Sequence, residues 1–165
     1  EQSPYLLRQW RLTTHGEAQQ ILCCPDNGCM MCLLFEFFLS TDIDNISMWD
    51  LATCANGEPN VVPVAFKDVT PDGKLVVGDV FLDTTLKNLA TNGGKIAISV
   101  YDAKTLEGYQ IKGVAEYVTE GEVVKTFKAM VEQMFNGGAT AKGALIITPE
   151  KVIVTTPGAD NKKEL

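Results

Sequence analysis

Six short stretches of strand-favouring residues, each ended by a turn signal, constrain this chain more than any other feature. ISMWDLATC (46–54) runs into ANGEP, whose Asn56-Gly57 pair is a strong two-residue hairpin signal, and NVVPVAFKDV (60–69) resumes the apolar run, so 46–69 reads as a hairpin. Pro63 has no N–H to give a ladder, which pushes the second strand toward a sheet edge or a bulge. TPDG (70–73) is another turn, leading to KLVVGDVFL (74–82). KIAISVYD (95–102) gives a fourth strand and the alternating GYQIKGVAEYVT (108–119) a fifth, while GALIITPEKVIVTTP (143–157) closes the chain as a strand pair around Pro149-Glu150. Two helices interrupt the series. DTTLKNLATN (83–92) opens on an acid and two hydroxyls and stops at Gly93-Gly94. EGEVVKTFKAMVEQMF (120–135) spaces Val123, Val124, Phe127, Met130, Val131 and Met134 on one face. Short strands joined by tight turns, with helices few and separate, predict a mainly β fold built on an antiparallel barrel with helices outside it.

Composition narrows the function classes. A chain of 165 residues with 45% apolar and 21% charged residues is long enough for one well-packed domain. Its net charge of −7 argues against nucleic acid or an anionic membrane surface as a partner, since both need concentrated Lys or Arg. The most apolar run, MMCLLFEFFL (30–39), is interrupted by Glu36 and falls well short of the ~18 residues that a spanning helix requires. Arg8, Arg11 and four of the five cysteines precede residue 33, whereas every lysine lies at or beyond Lys67. With the polar stretch STDIDN (40–45) as a boundary, residues 1–45 read as an atypical leader whose apolar end, LLFEFFL (33–39), suits a helix, and residues 46–165 as the barrel domain.

Metal and hydrolase chemistry are weakly supported. Cys24, Cys29 and Cys32 have the spacing of a plant-type [2Fe–2S] loop with Cys54 as a distant fourth ligand, but nothing around them resembles that fold. Zinc held with His15 would lack the paired C-x₂-C knuckles of common sites. The cysteines therefore read as free thiols, no metal site is expected, and a thiol cluster of this kind favours a reducing, cytoplasmic location. The single histidine, His15, lies in the leader, so a Ser-His-Asp or Cys-His centre in the barrel has no base. Glu116, Glu120 and Glu122 read as a solvated strand end and a helix start.

ATCANGEPNVVPVAF, DVFLDTTLKNL, KIAISVYD and GYQIKGVAEYVTEGE, in this order, resemble the FMN-binding split-barrel proteins of the pyridoxamine 5'-phosphate oxidase-like family. The likeness runs from about Trp49 to Leu165. It implies a six-stranded antiparallel split β-barrel with two or three peripheral helices, a homodimer, and FMN in a groove between subunits. It further implies that the backbone of Val64, Ala65 and Phe66 lies along the flavin ring. The phosphate would sit at the start of the 83–92 helix on Thr84 and Thr85, with Asn88 one turn beyond. Where family members place a Lys-Thr or Arg-Lys pair, this chain has two threonines, which leaves Lys87 and Lys112 as candidate cations. The barrel segment contains no arginine, so oxidation of a phosphorylated pyridine, which calls for arginine forks, is not expected. A small FMN-dependent oxidoreductase or electron carrier without catalytic side chains fits better. The alternative is a non-enzymatic dimer that lacks FMN or binds another ligand, haem or a deazaflavin. Tyr101 and Tyr109 flank a loop at the strand ends and read as rim packing.

Overall fold

The computed structural model describes residues 48–70 and 72–165, so the leader, its cysteines, His15 and the 33–39 run lie outside the described residues. The elements are β1 (Trp49–Ala55), β2 (Glu58–Val64), β3 (Lys67–Val69), β4 (Leu75–Asp79), α1 (Thr84–Asn92), β5 (Lys95–Tyr101), β6 (Gly108–Val118), α2 (Glu122–Met134) and β7 (Gly143–Val154). All seven strands form one sheet in the order β2-β1-β5-β6-β7-β4-β3, antiparallel throughout. β2 and β3 stand at opposite ends of that order, yet only Ala65 and Phe66 separate them along the chain. The sheet must therefore curl until its two edges meet at this pair, which makes it a split barrel.

The same break explains why seven strands replace the expected six. Residues 60–69 divide at Ala65-Phe66 because the first part pairs with β1 and the second with β4. Pro63 sits on the edge strand, opposite Asp50, where a missing N–H costs no ladder bond. Asn56 and Gly57 both adopt positive φ, 54° and 80°, as the predicted hairpin turn requires. The expected strand pair around Pro149-Glu150 is instead one strand. Lys112 faces Lys151 and Gly113 faces Pro149, so Glu150 is the extra residue of a bulge. Gly113 is required there, since a Cβ would run into the backbone carbonyl of Thr148.

Two cores result. Inside the curl, Trp49, Leu51, Ile98, Ile111, Leu145 and Ile147 form the main cluster, with Leu89 of α1 packed into it. On the opposite face of β4 and β7, Val124, Phe127 and Val131 of α2 cover Val76 and Ala144. β4 is buried along its whole length because it is covered on both faces. Each such α2 side chain contributes about 1.5–3 kcal/mol through burial. Gly78 is what lets α2 approach, for a Cβ there would lie 2.8 Å from the Phe127 ring. The apolar face expected for this helix is narrower than its sequence suggests. Met130 and Met134 are exposed, because α2 presses one stripe on the sheet and its flank faces outward. No helix among the described residues is long and apolar enough to cross a membrane.

Candidate functional site

α1 lies on the inner face of β1, against β2 and β5. Its register is set by polar contacts rather than by leucines alone. Thr53 occupies the third inward position of β1 after Trp49 and Leu51 and faces Asn60 across the hairpin. The Asn60 amide donates to Thr85 Oγ1 at 3.1 Å and to Thr53 Oγ1 at 3.3 Å, and the Asn88 amide donates to Thr53 Oγ1 at 3.1 Å. Thr85 is 1% exposed, so its hydroxyl belongs to this floor beneath the helix. The structure thus brings Thr85 and Asn88 together, through two partners the sequence reading did not single out. Their one legible signal was a polar Thr53 at an inward position of an alternating strand.

The start of α1 is open. Asp83 holds the N-cap position but makes no side-chain cap, since its carboxylate accepts Lys87 Nζ at 2.7 Å. Both members of that pair are 72% exposed, a geometry that contributes no more than about 1 kcal/mol. The first-turn N–H groups therefore have no capping side chain, Thr84 is exposed beside them, and the first turn itself holds no acid. Such a set of neutral donors fits a phosphate oxygen. Lys87, the lysine in this turn, is engaged by Asp83.

Lys112 does not join the site. Leu51, Ile98 and Ile111 form one inward row across β1, β5 and β6, and Lys112, next to Ile111, belongs to the outward row with Ala52, Ala97 and Lys151. α1 packs on the inward side, so the sheet stands between Lys112 and Thr84. The segment Val64, Ala65 and Phe66, expected along a flavin ring, also divides. Val64 is buried in the barrel core, Ala65 is exposed, and Phe66 is half-buried with its ring 6.3 Å from that of Phe135. Phe81, 77% exposed on the segment leading into α1, stacks edge-on against the same Phe135 at 6.5 Å. Phe66 and the approach to α1 therefore meet at one aromatic cluster.

A second polar tie holds that approach in place. The carboxylate of Asp79, fully buried at the end of β4, accepts the Leu82 N–H at 2.9 Å and the Tyr117 hydroxyl at 2.8 Å, with Lys142 Nζ 4.0 Å away. Burial and then the Asp79 hydrogen bond push the Tyr117 phenol up to about 12. At the far end of β6, burial and the neighbouring Glu107 raise Tyr109, whose hydroxyl donates to Glu107 at 3.2 Å. Tyr109 and the exposed Tyr101 sit at the strand rim.

A model of the pyridoxamine 5'-phosphate oxidase family matches residues 43–157. The chain belongs to the pyridoxamine 5'-phosphate oxidase-like family. The uncharacterized protein MJ0282 of Methanocaldococcus jannaschii is 30% identical over 123 residues, which span 73% of this chain and 80% of that protein. Among solved structures, HupZ from Group A Streptococcus is 29% identical and superposes with a TM-score of 0.58, covering 72% of this chain and 91% of its own. An FMN-binding protein from Syntrophomonas wolfei shares the fold at 18% identity, with a TM-score of 0.60 over 78% of this chain and 97% of its own. The split barrel of this family is the fold described above.

Proposed function

We propose that the chain binds FMN and works as a small flavin-dependent oxidoreductase or electron carrier. Membership of the pyridoxamine 5'-phosphate oxidase-like family supports the reading, and one observation carries it: the uncapped start of α1, where backbone N–H groups and the exposed Thr84 hydroxyl converge. When bound, FMN would supply the electron or hydride transfer, and no catalytic side chain is called for. This chain's residues bind and orient. The first turn faces the phosphate with its N–H groups and the Thr84 hydroxyl, the buried Thr85 and Asn88 hold that turn from below instead of contacting the phosphate, and the backbone of Val64, Ala65 and Phe66 lies along the ring. A homodimer belongs to the same reading. Phe81, Met130, Met134 and Phe135 expose apolar surface beside Phe66, which a second copy would cover. A cytoplasmic location accords with the free, exposed thiol of Cys54.

A specific observation favours a second reading. Lys87 is paired with Asp83 and Lys112 is across the sheet, so nothing among the described residues supplies a cation to the start of α1. A non-enzymatic split-barrel dimer, without FMN or with another ligand such as haem or a deazaflavin, needs none. Titration of FMN and riboflavin, followed by flavin fluorescence quenching, separates the two. FMN binding at least several-fold tighter than riboflavin, and weakening with salt, is expected of a phosphate site. Equal affinity for the two, or no binding of either, would refute the phosphate reading and leave α1 as an ordinary helix.

A further inference from the structure

We infer that Asn60 is the positioning residue of this site: it clamps the phosphate-facing turn of α1 to β2, the strand that runs on to Ala65 and Phe66, and thereby sets a preference for a phosphorylated flavin. The inference rests on the FMN reading above and adds a residue that acts through others. Among the described residues, Asn60 is the one side chain that donates to both Thr53 of β1 and Thr85 of α1. Thr53 and Thr85 are both buried, so without Asn60 the Thr85 oxygen loses its donor and Thr53 keeps only Asn88.

Few other ties reach this turn. The Asp83 carboxylate faces Lys87 rather than the helix N–H groups, and Asp79 fixes Leu82 but nothing beyond it. Asn88 ties the next turn to β1 and leucines of α1 pack into the core, but among the described residues the Asn60–Thr85 bond is the side-chain hydrogen bond that joins the first turn directly to β2. Five residues further along, one residue past the end of β2, lies Ala65, roughly 17 Å away at the usual strand rise. A rigid strand with the helix clamped at one end and the exposed Ala65 at the other holds two parts of a ligand site at a fixed separation.

The test uses the full chain with Asn60→Leu, which keeps the volume and removes the amide, and Thr85→Val, which cuts the same bond from the helix side with little change of shape. Amide hydrogen exchange is measured on the protein without added flavin. Exchange in residues 87–89, the first amides of α1 with helical hydrogen bonds, at least tenfold faster in both variants, with β5 and β6 unchanged, is the expected result. Unchanged protection of α1 in either variant that folds would overturn the clamp. In parallel, FMN and riboflavin are titrated into wild type and Asn60→Leu. The ratio of FMN to riboflavin affinity should fall about tenfold while riboflavin affinity stays within twofold. Equal weakening of both flavins would mark Asn60 as merely structural and overturn the positioning role. Wild-type protein that does not discriminate between the flavins would refute the FMN reading itself, and the inferred preference with it, while the exchange result still decides whether the clamp exists.

Discussion

Replacing Tyr117 by Phe isolates the buried carboxylate at the end of β4. Asp79 has two close donors, the Leu82 N–H at 2.9 Å and the Tyr117 hydroxyl at 2.8 Å, and Lys142 at 4.0 Å is beyond hydrogen-bond distance. Phenylalanine keeps the ring and removes one donor from a carboxylate that water does not reach. A hydrogen bond to a charged group contributes about 1.5–3 kcal/mol, and because Tyr117 is 39% exposed the lower part of that range, about 1.5–2 kcal/mol, applies. In a domain of this size the loss corresponds to roughly 3–8 °C in Tm. The alkaline limb adds a second readout. Tyr117 is pushed from its ordinary value of 10.0 up to about 12, so the folded state holds a proton that the unfolded chain releases. Its contribution is complete below pH 10 and is lost as pH rises toward 12. Discounted for solvent screening of a partly exposed ring, that loss is about 1 kcal/mol. Urea unfolding of both proteins from pH 7 to 11.5 measures it, and the lysines that titrate in this range cancel in the difference. The gap between wild type and Tyr117→Phe should be widest near neutrality and shrink above pH 10. A gap below about 0.5 kcal/mol at pH 7, or one independent of pH, would refute the assignment of Asp79 and Tyr117 as a stabilising pair.

Gly78→Ala should destabilise the fold by about 1–3 kcal/mol, because its Cβ meets the Phe127 ring at 2.8 Å, and Phe127→Leu in the same chain should recover part of the loss in urea unfolding. Gly113→Ala should cost at least as much, since the obstacle there is the Thr148 backbone rather than a side chain that can turn. Thr84→Lys should place a cation at the start of α1 and tighten FMN binding by about 1–2 kcal/mol with little effect on riboflavin; equal gains for both flavins would show that the new charge does not act on the phosphate. Phe81→Ser combined with Phe135→Ser should shift the mass found by light scattering from dimer to monomer at micromolar concentration, whereas a monomeric wild type would end the dimer proposal outright.

The hairpin turn, both helices and the positions of most strands along the chain were legible because each rests on a local signal. Asn56-Gly57 needs no distant partner to adopt positive φ, and Gly93 at φ 76° ends α1 by its own conformational freedom. The misreadings have the opposite character. Apolar residues continue unbroken through Ala65 and Phe66, so nothing local announces that the chain changes neighbours there; the break exists because the curled sheet has two edges to join. Pro149-Glu150 looks like a turn because proline and turns go together, but a bulge also accepts a residue that cannot donate to the ladder. Met130 and Met134 fit the helical period of α2 as well as Val131 does, and only the choice of the Val124, Phe127 and Val131 stripe as the face that packs on the sheet leaves them outside.

At the site, spacing along α1 puts Asn88 one turn beyond Thr85, since residues three apart share a helix face, but it gives no means of choosing which face looks at solvent. That choice is made by Thr53 and Asn60, 35 and 25 residues away from their partners on α1. Their inward side chains turn what would have been an apolar seat into one that selects hydroxyl and amide groups. The consequence is a division of labour between neighbouring threonines. Thr85 is drawn down into the floor and fixes the helix, while Thr84 stays exposed at its open end. Lys112 was open to a stricter reading, since strand alternation puts it on the opposite face from Ile111, and Ile111 is an obvious core residue. Counting outward from that isoleucine puts Lys112 on the face of the sheet away from α1 by alternation alone. What remained beyond reach was the fate of Lys87, because a lysine four residues after an aspartate is as free to bind a ligand as to pair within its helix. The 2.7 Å contact with Asp83 leaves the start of α1, among the described residues, to neutral donors, so an anion bound there would meet hydrogen bonds from N–H groups and the Thr84 hydroxyl rather than the Lys87 charge.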